Sequence, residues 1–172
     1  QIDKLPPAER FSRRVILKVS KIEKVEQHPG GAFLYILTLN TGDSEPRQIV
    51  SSIVPFYKAE ELLGKNIVLV YNLKPANFRG VRSNGMFLAA SDPAVTDKET
   101  CEVIFAPQFE VGTILEPEGF SAPEEELCFV KADKFAEMGL HTKSGFVEID
   151  GKKIGANGKF LTVEVYKDGK VK

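Results

Sequence analysis

The N-terminal half of the chain repeats a simple pattern, in which short apolar runs are separated by turn residues. Five runs rich in β-branched and aromatic side chains predict strands at residues 15–22, 33–39, 47–51, 67–71 and 86–90. A short helix is predicted from Pro55 to Leu63, because Gly64 is a suitable residue to end it.

This order of elements predicts a mainly β fold. Five short strands with a helix between the third and fourth is the order of an OB-fold five-stranded barrel, here over residues 12–95. Such barrels commonly bind oligonucleotides on one open face. An SH3-like or other small barrel remains an alternative, because strand order cannot be read from periodicity.

The first predicted strand is rich in lysine. Alternation turns Val19 toward the core and its neighbours Lys18 and Ser20 toward solvent. Lys24 then shares a face with Lys18, whereas Lys21 lies on the other face unless a β-bulge intervenes. The alternative to a binding role is that these charges only protect a sheet edge.

The segments on either side of the predicted barrel differ from it in composition. Residues 1–11 are polar and contain Pro6-Pro7, so they are predicted to be a linker or arm. Residues 96–172 are predicted to form an α+β extension. In it, residues 121–124 fit a capping box, which predicts a helix running to about Met138 and ended by Gly139.

Composition supports a folded domain. Of 172 residues 42% are hydrophobic and 12 are Phe, which is enough for a real core. No apolar run approaches the ~20 residues of a membrane span, so no membrane partner is expected. Cys101 and Cys128 lack a CxxC neighbour, which argues against a zinc site and favours a reducing, cytoplasmic location. Because the chain opens with Gln1, we expect it to belong to a longer protein.

The near-zero net charge hides an uneven distribution. Residues 1–90 hold 13 Lys or Arg and 8 Asp or Glu, whereas residues 91–172 hold 10 and 16. The front half is therefore basic and the back half acidic, although both could simply be solvated.

The segment from Asn72 to Met86 has the composition of a binding loop between two strands. Cations suited to phosphate groups stand at Lys74, Arg79 and Arg82. Side chains that can read base edges stand at Asn72, Asn77, Ser83 and Asn84, and the ring of Phe78 is a candidate for stacking. The alternative is a polar surface loop, in which Asn72 and Ser83 cap backbone groups and Phe78 fills a gap.

No motif in the sequence indicates catalysis. His28-Pro29 is interpreted as a structural turn, because no Cys and no second His lies nearby. Glu124, Glu125 and Glu126 fan out around a helix and are interpreted as a solvated helix start. The sequence therefore predicts no catalytic residue, no metal site and no cofactor.

Several of these residues occur together in the motifs of a known family. The motifs are Ser12-Arg13, His28-Pro29, Leu34-Tyr35, Gly42-Asp43, Pro46-Arg47, Ile49-Val50-Ser51, Asn72-Leu73-Lys74-Pro75-Ala76, Arg79-Gly80-Val81, Ser83, Gly85-Met86 and Ala90-Ser91. With them the chain resembles the tRNA-binding domain of endothelial-monocyte-activating polypeptide II and of the C-terminal extensions of some tyrosyl- and methionyl-tRNA synthetases. The resemblance continues more weakly through residues 139–142 to the C-terminus.

The resemblance implies a fold, a partner and a site. The fold would be an OB-fold barrel with a C-terminal extension of pseudo-dimer type, which packs on the barrel and leaves a monomer. The function would be non-catalytic, shape-directed binding of tRNA in support of an aminoacyl-tRNA synthetase catalytic domain, fused or in complex. The expected tRNA contacts are Lys18, Lys21, Asn72, Lys74, Arg79, Arg82, Ser83 and Met86.

The chain also departs from the family pattern. Where the family has a Gly in the first strand, this chain has Ser20. The usual acidic loop after His-Pro is replaced by Gly30-Gly31-Ala32-Phe33, and the usual Ser-Gly pair is replaced by Ser51-Ser52. The family's Lys-Met pair is replaced by Asn77-Phe78, and the lysine run of its appendage helix is replaced by Phe129-Val130-Lys131. Two basic sites thus carry less positive charge than in the family, and we expect a modest, salt-sensitive affinity for tRNA.

Some relatives in this family act as released cytokines, which offers an alternative function. The segment matching their active heptapeptide is Lys18–Lys24, and it departs from that peptide at Ser20 and Glu23. A secreted or released signalling or protein-interaction module is therefore the alternative hypothesis.

Overall fold

The computed structural model describes residues 4–122 and 128–172. The elements of the first part are α1 (Pro7–Arg14), β1 (Leu17–Gln27), β2 (Tyr35–Asn40), β3 (Arg47–Ser51), α2 (Ala59–Leu62), β4 (Asn66–Val70), β5 (Ala76–Phe78), β6 (Val81–Ser83), β7 (Met86–Phe87) and β8 (Ala89–Ser91). Those of the second are β9 (Glu102–Val103), β10 (Ile114–Pro117), α3 (Ala132–Ala136), β11 (His141–Lys143), β12 (Phe146–Ile149), β13 (Lys152–Ala156), β14 (Lys159–Phe160) and β15 (Lys170–Val171). The mainly β prediction is confirmed.

The sheet is built around β1. This strand is 11 residues long and pairs antiparallel with β2, β4 and β10. Its register with β2 shifts between Ile22 and Lys24, which marks a β-bulge and bends the strand. The bend lets the first part of β1 pair with β4 while the rest pairs with β2, which gives the order β3-β2-β1-β4-β7.

The barrel is of the predicted OB type, but backbone pairing does not close it. β3 and β7 lie at opposite ends of this order, and no ladder between described residues joins them. Side chains bridge the gap instead: the Ser83 hydroxyl accepts a hydrogen bond from the Val50 N–H, and the Gln48 amide donates to the Arg82 carbonyl, each at 2.9 Å. The backbone N–H of Asn84 also donates to the Gln48 carbonyl at 2.9 Å.

Two apolar clusters cover opposite faces of the central strands. Ile22, Ile67 and Leu69 belong to the cluster inside the barrel, with side chains of β2 and β3. Val19 and Val68 belong to the second cluster, which also contains residues of α1, α3, β12 and β13. The C-terminal segment thus packs on the outer face of β1 and β4, which explains why β4 is apolar from Ile67 to Val70 instead of alternating.

The prediction of an N-terminal arm is wrong for residues 7–11. They begin α1, in which Ala8 and Phe11 are each only 1% exposed. Pro7 suits the first helical position, and the spacing of three residues places Ala8 and Phe11 on one face of the helix. The ring of Phe11 lies 6.2 Å from that of Phe135 of α3, so the N-terminal helix packs against the C-terminal segment.

Two smaller predictions also need correction. Ser20 does not face solvent but is fully buried, because it shares a face of β1 with Ile22 and pairs with Ile67, two residues of the cluster inside the barrel. In the described part of the segment predicted as a helix from Ser121 to Met138, α3 is the helical stretch, and Phe129-Val130-Lys131 precede it. The capping residues 123 and 124, like the carboxylates 125 and 126, lie outside the described residues. Gly139 adopts the left-handed conformation after α3, at φ 90°, as expected for a helix end.

Asn72 joins three separated parts of the chain. It is 5% exposed, and its side-chain oxygen accepts a hydrogen bond from the Ile16 N–H at 2.9 Å. Its side-chain nitrogen donates to the Arg14 carbonyl at 2.8 Å and to the Cys128 carbonyl at 3.3 Å. One amide thereby satisfies backbone groups after α1 and before α3 that packing has removed from water.

We expect Phe11→Ala to lower the free energy of unfolding by about 3–5 kcal/mol, because it removes a buried ring and leaves a cavity. Chemical denaturation followed by circular dichroism measures this. The matched control is Arg13→Ala on the exposed side of α1, where the loss of an exposed ion pair with Glu9 costs less than about 1 kcal/mol. Equal effects of both substitutions would contradict a packed N-terminal helix.

We expect Asn72→Ala to lower the free energy of unfolding by about 1–3 kcal/mol for each backbone group it leaves unsatisfied. Asn72→Asp retains the acceptor for Ile16 and loses the donor to Arg14 and Cys128, so it separates the contribution of the accepted hydrogen bond from that of the donated ones. Denaturant midpoints of both variants equal to that of the unsubstituted chain would show that the amide has no structural role.

Candidate nucleic-acid interface

The predicted binding loop contains an ordered β-hairpin. β5 and β6 pair as Ala76–Ser83, Asn77–Arg82 and Phe78–Val81, and Arg79-Gly80 forms the turn. Both turn residues have positive φ, 49° and 89°, as a type I′ turn requires. The side-chain oxygen of Asn77 accepts a hydrogen bond from the Gly80 N–H at 2.8 Å and stabilises the turn. The result is a short, defined projection with Arg79 near its tip.

Three cations of this segment face solvent. Lys74, Arg79 and Arg82 are exposed, and no ion pair with a carboxylate is found for them in the described parts of the chain. The Nε of Arg82 donates to the side-chain oxygen of Asn84 at 3.0 Å, which orients the guanidinium without neutralising it. Such a concentration of uncompensated positive charge suits a polyanion.

Two of the predicted contact residues serve the fold instead. Asn72 is buried, and its side-chain amide is hydrogen-bonded to backbone groups as described above. Ser83 is 2% exposed, and its hydroxyl is bonded to the backbone of Val50 and Gly85. Of the two interpretations of these side chains, backbone capping is the one that the structure supports. Met86 is half-buried and packs against the larger apolar cluster.

Lys18 is engaged by a neighbouring carboxylate. Its ammonium lies 2.9 Å from Asp43, and its side chain is only 14% exposed. It also lies 4.5 Å from the ring centroid of Tyr71, and the guanidinium of Arg47 lies 4.0 Å from the same ring. The Tyr71 hydroxyl above all, with Lys18 and Thr41, lowers the pKa of Asp43 to about 2 by hydrogen bonding, although burial acts in the opposite direction. Lys18 therefore offers much less net charge to a ligand than its sequence position suggests.

The remaining residues of the segment Lys18–Lys24 lie in the central strand. Val19, Ser20 and Ile22 are buried, so only Lys21, Glu23 and Lys24 are exposed. Lys21 stands on β1 opposite Asn40 and Asn66, two neutral residues. It keeps its predicted place on the surface.

His28 connects the hairpin to the turn between β1 and β2. It is 3% exposed, and its Nδ1 accepts a hydrogen bond from the Gly30 N–H at 2.8 Å. In the neutral ring Nε2 then carries the proton and donates to the Phe78 carbonyl, also at 2.8 Å. The predicted structural role of His28 is confirmed, and its effect is to hold the hairpin against the turn.

Two residues near the site escaped the sequence interpretation. Arg47 donates to the backbone carbonyls of Tyr71 at 2.6 Å and Asn84 at 3.3 Å, and so supports both ends of the loop. The Pro46-Arg47 motif was a usable signal for it. Phe33 is 68% exposed and lines a cleft with Phe78 and Arg79, but the local sequence contained no signal for that proximity.

In residues 4–122 and 128–172, no group of three or more His, Cys, Asp or Glu side chains could hold a metal ion, and no helix is long and apolar enough to cross a membrane. Burial raises the pKa of the Cys101 thiol to about 11, which keeps it protonated and poorly nucleophilic at neutral pH.

Comparison with known proteins agrees with this geometry. Residues 17–114, more than half of the chain, match the family model described as "Putative tRNA binding domain". A methionine–tRNA ligase of Treponema denticola is 40% identical over 176 residues, which cover 96% of this chain and 22% of the ligase. The chain thus spans about a fifth of the length of this curated relative.

Solved structures support the fold over different lengths. The C-terminal domain of Plasmodium vivax p43 is 26% identical with a TM-score of 0.80, and the match covers 95% of this chain and 99% of that one. A MetRS-related protein from Pyrococcus horikoshii is 34% identical with a TM-score of 0.52, and covers 58% of this chain and 88% of that one. The first likeness extends over nearly the whole chain, including most of the C-terminal segment, whereas the second covers little more than half of it. By its sequence match, its OB-type strand order and its exposed basic hairpin, the chain belongs to the tRNA-binding domain family.

Proposed function

We propose that this chain is a non-catalytic module that binds tRNA through the β5–β6 hairpin. The observation that carries the proposal is a set of three exposed cations: Lys74 just before the hairpin, and Arg79 and Arg82 on it. None of the three has a carboxylate partner among residues 4–122 and 128–172. Lys21 on β1 is an additional exposed cation. Guanidinium and ammonium groups bind phosphates irrespective of base identity, so recognition would be shape-directed.

The site would bind tRNA modestly. Three to four phosphate contacts correspond to a slope of about −3 in a plot of log K against log salt concentration. Asn72 and Ser83 add nothing to this number, because they are buried and bonded to backbone. Lys18 adds little, since Asp43 already compensates its charge.

We further propose that the chain is appended to, or associated with, an aminoacyl-tRNA synthetase. The match with about a fifth of a methionine–tRNA ligase supports this arrangement. A tethered module would retain tRNA near the catalytic domain by raising its effective concentration. A monomer fits the packing of the C-terminal segment on β1 and β4, which already covers that face. The signalling alternative stays a prediction, and no contact described above favours it.

We expect Lys74→Gln with Arg79→Gln to weaken tRNA binding and to reduce the salt slope by about 2, because two phosphate contacts are lost. Fluorescence anisotropy of labelled, unfractionated tRNA between about 50 and 200 mM salt measures both quantities. The matched control is Lys152→Gln with Lys167→Gln, two exposed lysines of the C-terminal segment with the same change in net charge. Equal losses in the two pairs would contradict a localised site.

We expect tRNAs of different amino-acid identity to bind with affinities within about tenfold of one another, because no buried base-reading contact is available in the hairpin. Competition of purified tRNAs against one labelled tRNA measures this spread. A preference for one tRNA well beyond that range would indicate direct base readout and would contradict shape-directed binding.

A further inference from the structure

Two exposed aromatic rings face one cleft beside the basic hairpin. Phe33 is 68% exposed and belongs to the turn after β1, whereas Phe78 is 39% exposed and belongs to β5. Together with Arg79 and Asn77 they line a cleft of about 400 Å³. None of its lining residues is acidic: the others are Gly31, Ala32 and Leu34.

The walls of this cleft are held in place. The side-chain nitrogen of Gln27 donates to the carbonyls of Gly31 at 2.9 Å and Leu34 at 3.1 Å, which keeps the turn that carries Phe33 in one conformation. His28 bonds within the same turn and to the Phe78 carbonyl, so the two walls are tied to each other. A cleft that is already formed loses little conformational entropy when a ligand enters it.

The two rings have no structural explanation within the described chain. Phe11, Phe87 and Phe135 are at most 4% exposed and belong to the two clusters. Phe129 is also exposed, at 62%, but it does not line this cleft. Phe33 and Phe78 are distant in the sequence, and the structure brings them together at this cleft. Exposed rings that converge on one cleft indicate a ligand with an apolar, planar face.

The surrounding charge identifies the chemistry of that ligand. Arg79 lines the cleft, and Lys74 and Arg82 lie on the same exposed segment, so the ligand should be anionic as well as planar. A nucleotide combines both properties, and an aromatic ring stacks on any base. In a duplex the faces of the bases are hidden by their neighbours, so the base must be unpaired.

We propose that this cleft takes an unpaired nucleobase of the bound tRNA, stacked on Phe33 and Phe78, with Arg79 at the adjoining phosphate. The proposal rests on the proposed function, since the base is delivered by a tRNA that the hairpin already holds. It deepens that function by naming a loop or single-stranded end of the RNA, in addition to its helical backbone, as a contact.

The test uses variants that keep apolar bulk but remove the ring. Phe33→Leu with Phe78→Leu should weaken binding of unfractionated tRNA by about 5- to 150-fold while leaving the salt slope unchanged, because stacking involves no counterion release. Phe33→Tyr with Phe78→Tyr should retain the affinity. Leu63→Ala, which truncates an exposed side chain after α2, is the control for loss of surface apolar area.

A direct probe of stacking is a short single-stranded RNA that contains one 2-aminopurine. Its fluorescence should be quenched by the unsubstituted chain, but not by the double leucine variant, and the same strand in a duplex should show no quenching. Circular dichroism checks that every variant is folded.

The outcomes separate the two proposals. If the unsubstituted chain binds tRNA and the double leucine variant binds it equally well and quenches equally, the stacking proposal fails and the tRNA-binding function stands. If the unsubstituted chain binds no tRNA, the proposed function fails. If sedimentation shows that the leucine variant loses self-association, the rings bind a second copy of this chain, and the stacking proposal is again overturned.

Discussion

The structure depends on the antiparallel pairing of β1 with its three neighbours. β1 bonds to β2, β4 and β10, and a bulge after Ile22 divides it between the barrel partners. Its two faces bury different apolar clusters, one inside the barrel and one under the C-terminal segment. Barrel and extension therefore share one strand as a common wall. A disturbance of β1 would remove the support of both.

The β5–β6 hairpin of the candidate interface is held in place by residues at the end of β1. Gln27 is the last residue of β1, and His28 follows it directly, so the side chains that organise the next turn start from the paired end of β1. From that turn, His28 reaches the backbone of the hairpin at Phe78. The projection that carries Arg79 is short and has its own small sheet, yet it is connected to the main sheet at its base.

Local charge, rather than total charge, decides what this surface can bind. The chain has a net charge of −1, and Lys18 is compensated by Asp43 within a cluster that includes Tyr71 and Arg47. The hairpin cations Arg79 and Arg82 form no ion pair with a carboxylate in residues 4–122 and 128–172. At physiological ionic strength the field of a charge is screened beyond about 8 Å, so an anionic ligand at the hairpin responds mainly to these neighbours.

The sequence by itself determined the strands of the barrel, the turn chemistry and the membership of the loop 72–86 in a recognisable binding motif. Short-range properties control these features: side-chain periodicity, the conformational freedom of Gly80 and the spacing of the motif residues. A basic binding loop could be predicted on this basis, whereas the strands β5 and β6 that make it a hairpin were not predicted.

Only the tertiary structure decided which polar side chains of that loop face a ligand. Asn72 bonds to partners 56 or more residues away, Ser83 bonds to Val50, and Lys18 forms an ion pair with Asp43. Because these partners are distant in the sequence, a local pattern does not show that the three side chains are already engaged within the protein. The same holds for the burial of Ser20 inside the barrel, for the burial of Phe11 against the C-terminal segment and for the shared cleft of Phe33 and Phe78. Burial and proximity are set by contacts between segments distant in the chain, and the residue type alone does not contain that information.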